Sequence, residues 1–128
     1  MIELEQLAAK WGIAIIHHTG GAKGYSWVDR GVISLRHGLG EVQARCTLAH
    51  ELAHHYYGDI PGVDGKRAAF QERRADQWAA RRLISAADYA LAERLHGPHL
   101  GAIAAELGVT RALAEVWASQ QGARLAAV

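Results

Sequence analysis

The chain has 128 residues, of which 50% are apolar and 21% charged, the balance of a soluble globular protein. Lys+Arg is 14 and Asp+Glu is 13, so a net charge of +1 gives little long-range pull on nucleic acid or an anionic membrane. The single cysteine excludes an internal disulfide, no apolar run approaches the roughly 18 residues of a membrane span, and the charged start MIELEQLAAKWG is unlike a signal peptide.

From the N-terminus, Ile2, Leu4, Leu7, Ala8 and Trp11 recur at helical spacing, and Gly12 suits a helix end. Ile13 to Ile16 reads as a strand. Thr19 to Gly24 is a loop by composition. Tyr25–Val28 and Val32–Leu35 flank Asp29-Arg30-Gly31, which predicts a hairpin. Together these give a small, mostly antiparallel sheet of three strands. From Glu41 to Tyr57 there is no Gly or Pro, and Val42, Cys46, Ala49, Ala53 and Tyr56/Tyr57 recur every three or four residues. That is a long helix ended by Gly58. A second runs from about Lys66 to Ile84, with Ala69, Phe70, Arg73, Gln77, Ala80 and Leu83 as its mixed face. Ser85 caps a third helix, with Asp88 at the capping-box position, and Gly97-Pro98 stops it. Thr110 caps the last, which reaches about Gln120. The order predicts one α+β domain over 1–128, with a core at about 13–84 and a helical region at about 85–128.

His50-Glu51-Leu52-Ala53-His54 is an H-E-x-x-H sequence within the long helix. Residues i and i+4 share one helical face, so two imidazoles there can reach one Zn²⁺. Glu51 is rotated about 100° from His50, too far for a natural ligand but close enough to act as general base on the attacking water. A catalytic zinc needs a third protein ligand and an open position. Glu72 and Asp76 are also i, i+4, on the next helix. An antiparallel return brings Glu72 to complete a His₂Glu set and lets Asp76 accept a hydrogen bond from a ligand imidazole.

The run Arg45-Cys46-Thr47-Leu48-Ala49-His50-Glu51-Leu52-Ala53-His54, then Gly58-Asp59, then Glu72-Arg73-Arg74-Ala75-Asp76-Gln77-Trp78-Ala79-Ala80-Arg81-Arg82-Leu83-Ile84, resembles the ImmA/IrrE family of metallopeptidases. The Gly24-Tyr25 and Val32-Ile33-Ser34-Leu35 segments are similar to that family's lead-in. Trp78, Ala53 and Ser85 depart from its usual Phe, Gly and Pro, and none of them is a ligand position. The resemblance implies a minimal zincin-like fold of the gluzincin type, a small sheet packed on the two motif helices, and the neutral region beyond Pro98 reads as a helical hairpin packing on that core. It implies zinc on His50, His54 and Glu72, Glu51 as base and Asp76 behind a ligand. It also implies a cytoplasmic hydrolase of bacterial or phage origin, cleaving a protein substrate, typically a transcriptional repressor.

Other residues carry weaker signals. Cys46 shares the His50 stripe and reads as a small buried residue, with a thiolate ligand as the alternative. Asp59 reads as a cap of the helix-to-loop turn, with ligation as the alternative. His55 is expected at the surface. Candidates for stabilising the oxyanion are Tyr25, Tyr56, Tyr57 and His17, with His18 beside them. Residues 103–117 resemble a helix-turn-helix, but the charges beyond Pro98 sum to zero, so direct nucleic-acid binding is not expected. The rival readings are a non-catalytic repressor- or DNA-binding regulator with structural zinc and a toxin-like partner in a two-gene module. Oligomeric state has no signal in the sequence.

Overall fold

The structure is a computed structural model that describes residues 1–127, with side chains through 121. Helix α1 (Ile2–Lys10) buries Leu4 and Ala8 and leads into β1 (Ala14–His18). Strand β2 (Gly24–Trp27) and β3 (Val32–Arg36) follow, joined by a 3₁₀ turn over Val28–Arg30. Gly31 closes that turn at φ +63°, where an added Cβ would lie 3.1 Å from the Gly12 carbonyl oxygen. Among the described residues five further helices follow: α2 (Glu41–Tyr57), α3 (Gly65–Leu83), α4 (Ala86–His96), α5 (Leu100–Leu107) and α6 (Arg111–Ala127). Among the described residues no helix is long and apolar enough to cross a membrane.

The α+β class holds, but the sheet is mixed rather than mostly antiparallel. Its order is β1-β3-β2; β1 pairs parallel with β3, and β2 pairs antiparallel with it. The hairpin fixes the second pairing. Strand β1 takes the other edge of β3 because α1 already packs on both β1 and α2. Strand β3 is therefore central, and Ile33, Ser34 and Leu35 are all buried. Strand β2 is an edge strand lying on α2.

The helix ends follow the capping signals. Asp64 accepts from Arg67 N–H, Ser85 from Asp88 N–H and Thr110 from Leu113 N–H. Gly58 ends α2 at φ +62°, a left-handed position that glycine adopts at low cost.

The buried stripes match the predicted ones in part: Cys46, Ala49, Ala53 and Ala80 are buried as expected, and Leu48, Leu52, Ala75 and Ala79 join them. On α2, Val42 and Tyr56 are exposed, while Leu48, Ala49, Leu52 and Ala53 are wholly buried. On α3, Ala69, Phe70 and Arg73 face solvent, and Ala75, Ala79 and Ala80 are wholly buried. By helical spacing Ala53 lies three residues from His50, and Ala75 and Ala79 lie three residues from Glu72 and Asp76, so these methyls share the faces that carry the site. Methyl-sized side chains let α2 and α3 approach closely enough for short polar side chains to meet. Ile33, Leu48, Leu52 and Ile103 are the largest fully buried groups, each contributing about 1.5–3 kcal/mol by burial. The α5–α6 pair packs on this core through α3. Arg45 Nη1 donates to Gly108 O at 2.9 Å and Gln120 Nε2 to Gln77 O at 3.2 Å, tying it to α2 and α3.

Candidate metal centre

His50 and His54 project from one face of α2 with rings nearly perpendicular and 4.8 Å between centroids. Their Nε2 atoms are 3.2 Å apart. Glu72 reaches across from α3, with Oε2 2.8 Å from His50 Nε2 and Oε1 3.1 Å from His54 Nε2. These three residues can hold a metal ion: one donor atom from each lies within 4.8 Å of the others. A tetrahedral zinc with bonds of about 2.0–2.1 Å needs donors a little over 3 Å apart, close to this triangle. Two imidazole nitrogens facing each other at 3.2 Å also need a cation or a proton between them. The donor set fits zinc on both counts. The Glu72 side chain is 61% exposed, so the triangle opens to solvent.

Each imidazole is held from behind by a carboxylate. His50 Nδ1 is 2.8 Å from Asp76 Oδ1, and His54 Nδ1 is 2.8 Å from Asp59 Oδ2. An Nδ1–H donated in this way leaves Nε2 with its lone pair toward the metal. The structure thus brings Asp59 to His54 as an orienting carboxylate rather than to the Nε2 triangle. The Gly58 turn is the reason: it folds the chain back so that Asp59 N–H donates to His54 O at 2.9 Å. The other Asp59 oxygen accepts from Arg74, whose guanidinium stacks 4.0 Å from the Tyr57 ring centroid. Sequence spacing offers no sign of Arg74 in this chain of contacts.

Glu51 is buried and turned toward β2. The Ser26 hydroxyl donates to it, 2.9 Å from Oε1 and 3.1 Å from the Glu51 carbonyl oxygen. Among the described residues no side chain holds Oε2 in a hydrogen bond. Ser26 carries no motif signal; the pleat of β2 alone turns it, with Gly24, toward α2. Gly24 has to be glycine here, because a Cβ would lie 2.7 Å from Thr47 Cγ2 and 2.9 Å from Glu51 Cγ.

The cleft over these groups is about 400 Å³ and includes Tyr25, Ser26, Glu51, His54 and Glu72 in its lining. Of the oxyanion-donor candidates, Tyr25 alone lines it, and the Tyr25 hydroxyl accepts from Ala22 N–H at 3.1 Å. His17 lies on β1, at the opposite edge of the sheet, stacked on His37. Tyr56 packs against Trp11 and Trp78, so the departure at Trp78 is absorbed by an aromatic cluster outside the cleft. Tyr57 lies under Arg74. His18 is spent on Ser34 Oγ and Ala22 O, holding the loop before β2. Cys46 is buried, and His55 is half-buried rather than at the surface, 3.2 Å from Val32 O, with burial pushing its pKa down.

Burial works to lower the His50 pKa, but its hydrogen bonds to Asp76 and Glu72 and the charge of Glu51 outweigh it and push it up to about 10. The His50 hydrogen bond in turn holds the Glu72 carboxyl below its ordinary range, against the effect of burial. In the metal-free protein a proton thus stands in for the metal. A raised folded pKa contributes stability that is complete below the free value of 6.5 and is lost as pH rises through about 10. The melting temperature in chelator is expected to fall between pH 7 and 10. A flat profile over that range would mean that His50 is neutral in the folded state.

No curated protein sequence matches the chain. A Mycobacterium tuberculosis transcriptional regulator has a similar fold, with a TM-score of 0.67 and 19% identity over 90% of this chain. The alignment covers 39% of that regulator, so the chain spans well under half of its length. The sequence profile of the IrrE N-terminal-like domain, Peptidase_M78, matches residues 8–118, which include both motif helices and the first part of α6. The chain therefore belongs to the IrrE N-terminal-like domain family.

Proposed function

We propose that the chain is a zinc-dependent endopeptidase acting in the cytoplasm on a protein substrate, a transcriptional repressor of a phage, mobile element or stress response. The observation that carries this reading is a carboxylate base held beside an open His₂Glu donor triangle in one cleft. Membership of a peptidase family supports the reaction class. The similar fold in a transcriptional regulator fits a setting in gene control.

His50, His54 and Glu72 hold the metal, and Asp76 and Asp59 keep the two imidazoles oriented. Bound zinc supplies a Lewis acid that polarises the scissile carbonyl and acidifies water. Glu51 takes the proton from the attacking water and passes it to the leaving amine nitrogen. The Ser26 hydroxyl fixes one Glu51 oxygen, which leaves the other to face the water. The outer edge of β2 offers backbone groups along which an extended substrate can lie.

The test is incubation of the zinc-loaded protein with candidate repressors from the same genome, read by mass spectrometry. Cleavage at one peptide bond, abolished by chelator and restored by zinc, is expected. Derepression of a promoter without any cleavage would instead make the chain a binding regulator with structural zinc.

A further inference from the structure

Helix α3 carries six basic residues, Lys66, Arg67, Arg73, Arg74, Arg81 and Arg82, and two acidic ones, Glu72 and Asp76. Both acids point into the metal centre, toward His50. Among the described residues Arg74 alone of the six cations makes an ion pair, with Asp59. The other five are exposed. The net charge of +1 for the whole chain therefore conceals a segregation of charge onto one helix. At 100° per residue Lys66, Phe70, Arg73, Gln77 and Arg81 fall within about 80° of one another, in a row about 22 Å long at 1.5 Å per residue. Arg67 flanks the row, and Phe70 is 48% exposed within it. The row is continuous with the site. A groove of about 160 Å³ between α3 and the loop after α2 is lined by Arg67 and Phe70, and it shares Asp59, Ile60 and Gln71 with the metal cleft.

We propose that the outer face of α3 is a docking surface for an acidic segment of the substrate protein, outside the stretch that is cut. The inference deepens the peptidase reading above and rests on it for the identity of the partner. Charge complementarity gives the chemistry. Four of the five free cations are arginines, whose planar fork matches a carboxylate through two hydrogen bonds. Continuity with the cleft gives the source. A polypeptide that leaves the cleft past Ile60 and Gln71 runs onto Arg67 and the row beyond it. Ile60 and Phe70, both about half exposed, offer apolar contact to side chains that lie between the acidic ones. A phosphate backbone leaves such contacts unused, so a peptide suits this face better than a nucleic acid. A charged surface of this kind speeds encounter and selects which protein is held, while the cleft stays free to cut.

The probe is a fluorescein-labelled peptide of Glu-Glu-Leu repeats, read by anisotropy against the zinc-loaded Glu51→Gln chain, which leaves it uncut. A Gln-Gln-Leu peptide and a DNA duplex are the comparisons. The acidic peptide is expected to bind at least about 10-fold tighter than its Gln counterpart, with an affinity that falls as added salt screens the exposed charges. Arg67→Glu/Arg81→Glu reverses the charge near both ends of the row and is expected to lower the affinity by about 10-fold or more. Arg67→Gln/Arg81→Gln is expected to lose less, and it decides the matter should the reversal not fold. Removing zinc is expected to leave binding unchanged; an affinity that vanishes with the metal places the carboxylates on zinc and overturns the docking surface. Equal binding of the two peptides, an affinity untouched by the variants, or a duplex that binds tighter than the acidic peptide overturns it as well. The expected pattern supports the surface whether or not any repressor is cut, and a failure of cleavage alone falls on the peptidase reading.

Discussion

Glu51→Gln is expected to lower peptide cleavage by about 10²–10⁴-fold while zinc content and melting temperature stay close to wild type. The amide matches the carboxylate in size and still accepts the Ser26 hydroxyl, so the contact between α2 and β2 persists. What it lacks is the basic oxygen that takes the proton. Glu51 is not among the three residues of the donor triangle, so its loss leaves the metal in place. The measurement is repressor cleavage by both proteins, with zinc analysis and thermal melting on each. Equal cleavage would remove Glu51 from the mechanism.

Glu72→Ala is expected to weaken zinc binding by more than about 100-fold, since disturbing even the outer partners of a ligand typically costs 10- to 100-fold. Asp59 is the nearest alternative carboxylate in sequence terms, but it cannot substitute. One of its oxygens is committed to His54 Nδ1 and the other to Arg74. Releasing it would free the His54 ring and leave the Arg74 charge without its partner. Competition against a chromogenic chelator measures the affinity directly. An unchanged affinity would move the third ligand to a residue other than Glu72.

The long helices were legible because their ends are written locally. Gly58 ends α2 and Ser85 caps α4, both as the sequence indicates. The close approach of His50 to His54 follows from spacing on one helix. The juxtaposition of Glu72 and Asp76 needs only an antiparallel return, which the short loop after Gly58 imposes. What was not legible depends on contacts between distant segments. Nothing in Ala14–His18 says which edge of β3 it will take. Ser26 reaches Glu51 across 25 positions of sequence, and serine on a strand is unremarkable by itself. Asp59 changes its meaning only when the left-handed turn at Gly58 swings it back under His54. Leu113 and Val116 of α6 line a cavity beside the metal cleft, far along the chain from the motif, and in sequence they read equally well as core.

The alanine contact between α2 and α3 has a consequence for how such a site drifts under mutation. The approach of α3 to α2 that brings Glu72 to the two histidines leaves room only for methyl groups at the wholly buried Ala53, Ala75 and Ala79. Those methyls act as a spacer of fixed thickness, and each added carbon prises the donors apart. Ala79→Val leaves every ligand chemically intact, yet it is a change in the reach of Glu72. A lineage can therefore weaken or retune its metal by altering residues that never touch it, and a pseudo-site with all its motif letters present can be inert because the helices no longer meet.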